Sequence, residues 1–119
     1  MRRALGLAAG LLSFGDRRVD ALFTDDSLIA SLAAEYRKSP FPTDVLAFAY
    51  DDEKDLAGEI VISLDTARRQ ALERREPLAH ELILLGIHGL LHIKGQGDET
   101  RRDWCMMRIK EFEMLVKVL

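Results

Sequence analysis

The segment from residue 78 to residue 93 constrains the fold more than any other part of the chain, because it is apolar on nearly every side. A run of this length and composition predicts a helix that is buried and central, with other elements packed around it. Two histidines, His88 and His92, interrupt the run four residues apart. Residues at positions i and i+4 lie on one helical face, so the two imidazoles are predicted to lie one above the other.

Two interpretations of this histidine pair are open. Backbone carbonyls can hold both rings inside an ordinary buried helix, or both rings can bind one metal ion, since imidazole is the commonest metal ligand. Gly95 is expected to end the helix in a left-handed conformation, and Gly97 gives the next residues freedom to turn back. That turn brings Asp98 towards the histidines as a third ligand. The glycine and the carboxylate at these positions favour the metal site.

The residue after the first histidine disfavours ordinary metalloprotease chemistry. In zincin proteases this position is a glutamate that acts as the general base. Here it is Gly89. The spacing of His88, His92 and Asp98 still predicts a zincin-like cradle for one metal ion, with a different chemistry.

Composition limits the class of protein. At 119 residues, with 48% hydrophobic and 31% charged residues, the chain is expected to form one domain over residues 1–119. The net charge of −3 argues against a basic nucleic-acid-binding surface over the whole protein, but allows a local positive patch. A single cysteine and the lack of a membrane-spanning apolar stretch predict a cytoplasmic protein with no membrane partner. The short apolar stretch 4–12 is interpreted as a terminal helix on the core rather than as a signal peptide.

The remaining pattern predicts an α+β fold, in which a small mixed β-sheet and further helices pack around the central metal-binding helix. Predicted helices cover residues 2–13, 25–39, 63–75, 78–93 and 99–118, and predicted strands cover residues 19–23, 45–50 and 57–62. Pro40 is expected to end the second helix. The short link between the last two strands predicts an antiparallel pair, and the helix between the first two predicts a parallel crossover.

Two amphipathic patterns predict which helical faces are buried. The second helix repeats apolar residues at Leu28, Leu32 and Tyr36. The last helix carries an apolar stripe at three- and four-residue spacing, formed by Cys105, Ile109, Phe112, Val116 and Leu119.

Several longer segments carry a resemblance to a known family. They are His88–His92 followed by Gly95, the pair Tyr36-Arg37, and the stretches Pro42–Phe48, Gly58–Ser63 and Met107–Leu115. In order and spacing, over roughly residues 18–119, the chain resembles the YbeY family of bacterial single-strand-specific endoribonucleases, also called rRNA maturation factors.

The resemblance implies a cytoplasmic hydrolase that cleaves RNA phosphodiesters, acts in 16S rRNA 3′-end maturation and ribosome quality control, and binds one zinc ion. It assigns metal binding to His88 and His92, and a catalytic and substrate-binding role to Arg37, which can otherwise be a cation at a helix C-terminus. Single-stranded RNA or rRNA is the implied substrate, and the ribosomal small subunit or its proteins are the implied partners. Lys94 is a further candidate for holding the RNA backbone, or else a solvated lysine.

The chain departs from the family at the third metal ligand. Family members usually have Gly-Tyr-Asp-His where this chain has Gly95-Gln96-Gly97-Asp98, so Asp98 replaces the third histidine. Aspartate is a legitimate zinc ligand, but its charge weakens the metal as a Lewis acid and makes harder divalent metals such as manganese more competitive. Two alternative functions remain open: a ribosome-associated binding protein with weakened catalysis, and a small zinc metallohydrolase or peptidase.

Overall fold

The elements predicted from the sequence are all present in the structure, a computed structural model that describes residues 2–37, 41–52 and 54–119. Within these ranges the chain forms five helices and three strands, in the order α1 (Arg2–Leu12), β1 (Arg18–Thr24), α2 (Asp26–Tyr36), β2 (Val45–Ala49), β3 (Leu56–Ser63), α3 (Leu64–Arg74), α4 (Leu78–Ile93) and α5 (Arg101–Val118). The predicted α+β class is confirmed.

Helix α4 lies at the centre of the fold, as its apolar composition predicts. It packs against α1, α3 and α5 and against strands β2 and β3. Two glycines allow this close packing. A Cβ atom on Gly89 would lie 2.9 Å from the Ile60 side chain of β3, and one on Gly86 would collide with Leu5 of α1. The main hydrophobic core therefore forms around α4, with contributions from α1, the sheet and α5.

The strand order of the sheet differs from the prediction. The order is β1-β3-β2, with β1 parallel and β2 antiparallel to β3. The mixed sheet and the antiparallel pair are confirmed, but the parallel pairing of the first two strands is wrong. Burial explains the difference, because β3 is buried at most positions from Ala57 to Ser63, whereas β1 exposes Asp20 and Leu22. A strand covered on both faces takes the centre of a sheet, and a strand open to solvent takes an edge.

Local signals set the ends of the helices around α4. The Ser63 side chain caps α3 by accepting a backbone hydrogen bond. Pro77 precedes α4, and Gly95 follows it with a φ of 97°, which is the predicted left-handed conformation. Helix α2 reaches Tyr36. Its predicted end before Pro40 lies outside the described residues.

The buried faces of α2 and α5 are not the predicted ones. In α2, Ile29 and Ala33 are buried, whereas Leu28 and Tyr36 are largely exposed. In α5, the buried residues are Met107, Glu111 and Met114. The stripe predicted for α5 is exposed along its length: Cys105, Ile109, Phe112, Val116 and Leu119. Both helices carry apolar residues on more than one face, so tertiary partners decide which face is covered.

Helix α1 packs on the core, as predicted for a terminal helix. Ala4 and Ala8 are buried and belong to the main core cluster around α4. None of the helices in the described part of the chain is both long and apolar enough to cross a bilayer.

The Asp26 side chain ties α2 to the junction of β3 and α3. Its Oδ1 accepts hydrogen bonds of 2.6 Å from the hydroxyls of Ser63 and Thr66, and its Oδ2 pairs with Arg69 at 2.9 Å. The hydrogen bond from Ser63, followed by that from Thr66, lowers the pKa of Asp26 to about 2. The junction therefore depends on an ionised Asp26.

Replacing Asp26 with alanine is expected to lower the free energy of unfolding by about 1–3 kcal/mol, because the buried Ser63 hydroxyl loses its acceptor. The contribution of an acid with a lowered pKa is fully present above its usual value of 3.8 and is lost as the pH falls through about 2. Urea unfolding at pH 7 and in acid checks both expectations. Asp26→Asn, which keeps an oxygen acceptor, should lower the free energy of unfolding by less than Asp26→Ala does. An Asp26→Ala deficit that stays constant or grows in acid would contradict this account.

Candidate metal centre

Three side chains predicted as metal ligands meet at the C-terminal end of α4. Asp98 Oδ2 lies 3.3 Å from His92 Nε2 and 3.6 Å from His88 Nε2. The ring centroids of the two histidines are 4.6 Å apart. One ligand atom from each of His88, His92 and Asp98 lies within 4.8 Å of the others. The structure therefore brings together the three residues named from the sequence.

The segment after α4 explains how Asp98 reaches the histidines. Gly95 takes the left-handed conformation, and the Gln96 N–H then donates to the carbonyl of Leu91 at 3.0 Å. The Gln96 side chain accepts a hydrogen bond of 2.7 Å from Lys110 of α5. The turn is thus bound to both α4 and α5, and it directs Asp98 back over the histidine face.

Glu111 is the partner of His88 that sequence reasoning missed. Its Oε1 lies 2.6 Å from His88 Nδ1, and its side chain is only 3% exposed. A carboxylate only accepts, so Nδ1 carries the proton and donates, which leaves the Nε2 lone pair facing Asp98. Arg108 Nη2 lies 3.2 Å from the same Nδ1, but its hydrogen bond goes to Glu111 Oε1 at 2.7 Å, because a protonated Nδ1 cannot accept.

The surroundings of His92 favour its neutral form. Burial lowers the pKa of His92, and the neighbouring His88 and Arg37 act in the same direction. Asp98 opposes them by raising it. A neutral imidazole is the form that binds a metal ion.

The two separations between Asp98 and the histidines fit a metal site. In a tetrahedral site with bonds of about 2.0–2.1 Å, neighbouring ligand atoms are about 3.4 Å apart. The two distances from Asp98 to the histidines, 3.3 and 3.6 Å, are close to this value. Two imidazole nitrogens and one carboxylate oxygen also form a donor set that zinc and harder divalent ions accept.

A polar cleft of about 250 Å³ opens beside the three residues. His88 and Asp98 form part of its wall. Three arginines from different helices also line it: Arg37, Arg74 and Arg108. Four carboxylates line it as well, those of Asp44, Glu81, Asp98 and Glu111, so the cleft combines the possible metal ligands with side chains of both charges.

Arg37, for which a catalytic and substrate-binding role was predicted, follows the last turn of α2. Its backbone N–H donates to the carbonyl of Ala33 and closes α2, while its side chain lines the cleft. Its charge is close enough to His92 to lower the pKa of that ring, after the larger effects of burial and His88. No salt bridge of Arg37 is found within residues 2–37, 41–52 and 54–119.

Lys94 lies apart from the cleft. Its ammonium group donates to the carbonyl of Ser13 at 2.8 Å and lies 4.8 Å from the centre of the Phe14 ring. These contacts join the end of α4 to the segment between α1 and β1. The RNA-binding role of Lys94 stays a prediction.

Three further charged residues of the cleft were not singled out from the sequence: Glu81, Arg108 and Glu111. A usable signal exists for both glutamates. Glu111 lies between Met107 and Met114 at helical spacing, and Glu81 precedes His88 by two turns within an apolar run. A charged residue on a buried helical face needs a partner and so marks a possible site.

Comparison with known proteins gives consistent matches. The family model for endoribonuclease YbeY matches residues 3–118. The endoribonuclease YbeY of Desulforamulus reducens is 41% identical over 112 residues, covering 87% of this chain and 73% of the relative. That of Thermus thermophilus is 38% identical over 109 residues, covering 87% and 78%.

A solved structure has a similar fold. The solution structure of TM1509 from Thermotoga maritima is 27% identical in sequence and superimposes with a TM-score of 0.68. The match covers 98% of this chain and 77% of that protein. Because the family model spans nearly all of the sequence and these relatives match most of its length, the chain belongs to the endoribonuclease YbeY family.

Proposed function

We propose that this protein is a metal-dependent, single-strand-specific endoribonuclease that hydrolyses RNA phosphodiesters in 16S rRNA 3′-end maturation and ribosome quality control. The observation that carries the proposal is the convergence of His88, His92 and Asp98 beside a cleft that three arginines line. Membership of a family named for endoribonuclease activity supports it. A cytoplasmic location and contact with the small ribosomal subunit or its proteins are parts of the same proposal.

The proposed ligands are His88 Nε2, His92 Nε2 and one carboxylate oxygen of Asp98. Zinc suits two imidazoles and a carboxylate, and the charge of Asp98 also admits harder divalent ions. Such an ion supplies Lewis-acid polarisation of a phosphoryl oxygen and acidifies water at neutral pH. Glu111 fixes the tautomer and orientation of His88, so that its Nε2 is available to the site.

Arg37 is proposed to bind the scissile phosphate. Its side chain enters the cleft without a salt-bridge partner among the described residues, so its guanidinium donors are available. A planar guanidinium can bind two phosphate oxygens at once, and the added negative charge of the transition state strengthens that interaction. Arg37 therefore contributes to binding and, more strongly, to catalysis.

The peptidase alternative gains no support from the site. The residue that supplies a general base in zincin proteases is replaced by Gly89, which packs against Ile60. Two acidic side chains near the histidines are already engaged: Asp98 with the histidines and Glu111 with His88 and Arg108. The cleft chemistry, rich in arginine, suits a phosphate better than a peptide carbonyl.

Metal content tests the proposed role of Asp98. The purified protein should contain about one divalent ion per chain by elemental analysis, and Asp98→Ala should contain much less, because two imidazoles alone bind a metal weakly. Asp98→His should retain the ion. Glu99→Ala, which removes the next, exposed carboxylate, is the matched control. Equal metal content in Asp98→Ala and Glu99→Ala would remove Asp98 from the site.

RNA cleavage tests the proposed activity. The wild-type protein should cleave a single-stranded RNA and leave the duplex of the same sequence intact. Arg37→Ala should lower kcat by about a hundredfold, the usual effect of removing one group that stabilises transition-state charge. Arg37→Lys should recover only part of this loss, since the ammonium cannot bind two oxygens in a planar fork. Cleavage that survives in His88→Ala would identify a contaminating nuclease and contradict the proposal.

Glu111→Gln tests the hydrogen bond behind His88. The neutral amide keeps the size of the side chain but loses the charge that stabilises the Nδ1–H donor. Metal affinity should fall about tenfold or more, as is typical when the partner of a ligating histidine is altered. Titration with a competing chelator measures the affinity. Glu113→Gln, an exposed change on the same helix, should bind metal like the wild type; equal affinities in the two variants would show that Glu111 does not support the site.

A further inference from the structure

Arg74 occupies the end of the cleft away from the C-terminus of α4. It lies in the last turn of α3, and its Nη1 contacts both carboxylate oxygens of Glu81, at 3.1 and 2.9 Å. Glu81 is fully buried and also accepts a hydrogen bond of 2.8 Å from Gln70. The guanidinium of Arg74 is therefore held in place by a fixed, buried group rather than by solvent-exposed contacts.

Much of the Arg74 guanidinium is left unused by this anchor. The side chain remains 48% exposed, and within the described ranges its Nε and Nη2 have no hydrogen-bond partner. Arginine has five N–H donors in a planar fork, and the pair with Glu81 occupies one nitrogen. An anchored arginine with free donors loses less entropy on binding an anion than a mobile one does.

The ionisation of Glu81 depends on Arg74 as well as on burial. Burial raises the pKa of Glu81 to about 7, and the nearby Glu76 carboxyl acts in the same direction, while Arg74 and Gln70 oppose them. Arg74, which is always charged, therefore favours the ionised form of its own anchor.

The position of Arg74 in the cleft follows from its anchor. Glu81, which anchors Arg74, and His88 are seven residues apart on α4 and so lie two turns apart on the same face. The rise between them is about 10 Å at 1.5 Å per residue. Arg74 is therefore bound to α4 two turns before His88, away from the proposed ligands. Arg37 and Arg108 lie in the same cleft.

We propose that Arg74 binds a phosphate of the bound strand other than the scissile one, and that buried Glu81 is the positioning residue that orients it. The ligand is a single-stranded polynucleotide backbone, read by charge and not by base. This inference rests on the proposed endoribonuclease function and adds a second phosphate site to it. Arg74 and Glu81 together set how far the bound strand extends along the cleft.

Steady-state kinetics on two substrates test the second site. A short oligouridylate offers neighbouring phosphates, whereas the dinucleotide UpU has only the scissile one. Arg74→Ala should raise KM for the oligouridylate by about five- to tenfold, the loss of one charge-assisted phosphate contact, with a smaller effect on kcat. The increase in KM for UpU should be much smaller. Arg68→Ala, which removes an exposed arginine of the same helix, is the control. It should leave KM and kcat unchanged for both substrates.

Salt dependence separates phosphate binding from a purely structural role. The slope of log(kcat/KM) against log salt for the oligouridylate should become shallower by about 0.7 in Arg74→Ala, as expected for one lost phosphate contact on a single strand. Because Arg74→Ala leaves Glu81 buried without its cation, the double variant Glu81→Gln/Arg74→Ala is measured against Glu81→Gln. The same change in slope and a smaller change in KM are expected in that pair, because no charge is left buried and Arg74 has lost the carboxylate that orients it.

The possible failures are distinguishable. The second site is overturned if the wild-type protein cleaves oligouridylate but loss of Arg74, in the wild-type and in the Glu81→Gln background, changes KM and the salt slope no more than Arg68→Ala does. Arg74 then only anchors Glu81. The proposed endoribonuclease then stands. If the metal-loaded wild-type protein cleaves neither substrate, the proposed function fails, and the second phosphate site fails with it.

Discussion

The hydrogen bond between His88 and Glu111 joins the most apolar helix of the chain to α5. Nδ1 of His88 donates to Glu111, which is buried in α5, and the Nε2 lone pair faces Asp98 on the turn after α4. A buried carboxylate without a partner is costly, so this hydrogen bond also fixes how α5 packs on α4. The contact that completes the core therefore also orients His88 towards the candidate site.

The sequence was most predictive where local rules dominate. The apolar run of α4, the four-residue histidine spacing and the left-handed Gly95 each depend on neighbouring residues, and together they led to the three residues that meet in the structure. The order of the strands depends instead on which strand is covered on both faces, and β3 is central because α2 and α4 pack against it. Such coverage involves residues far apart in sequence, so strand patterns alone did not determine it.

The face of α5 shows the same limit at the level of one helix. Its apolar residues form two stripes at helical spacing, and hydrophobicity alone favours the one that includes Ile109 and Phe112, which is exposed. The other stripe contains Glu111. A charged residue disfavours burial of its helical face unless it has a partner, and His88 is the partner of Glu111. The buried acid is thus evidence for the site. Glu81 in α4 is also a buried acid with partners, since contacts with Arg74 and Gln70 of α3 offset the free-energy cost of burying it.

The aspartate at position 98, where the family usually has histidine, lowers the positive charge of the proposed metal centre. The arginines of the cleft supply positive charge beside it. A divalent ion bound by two neutral imidazoles and one aspartate keeps one net positive charge, and Glu111 behind His88 adds a negative charge close by. An RNA phosphate is therefore attracted less strongly to such a centre than to one with three neutral ligands. Arg108 pairs with Glu111 and Arg74 with Glu81, so each buried carboxylate on the cleft wall is matched by a cation, while Arg37 has no such partner among the described residues. The charge of Arg37 lies on the wall beside the proposed ligands, so the proposed function predicts that phosphate binding depends on this arginine as well as on the metal.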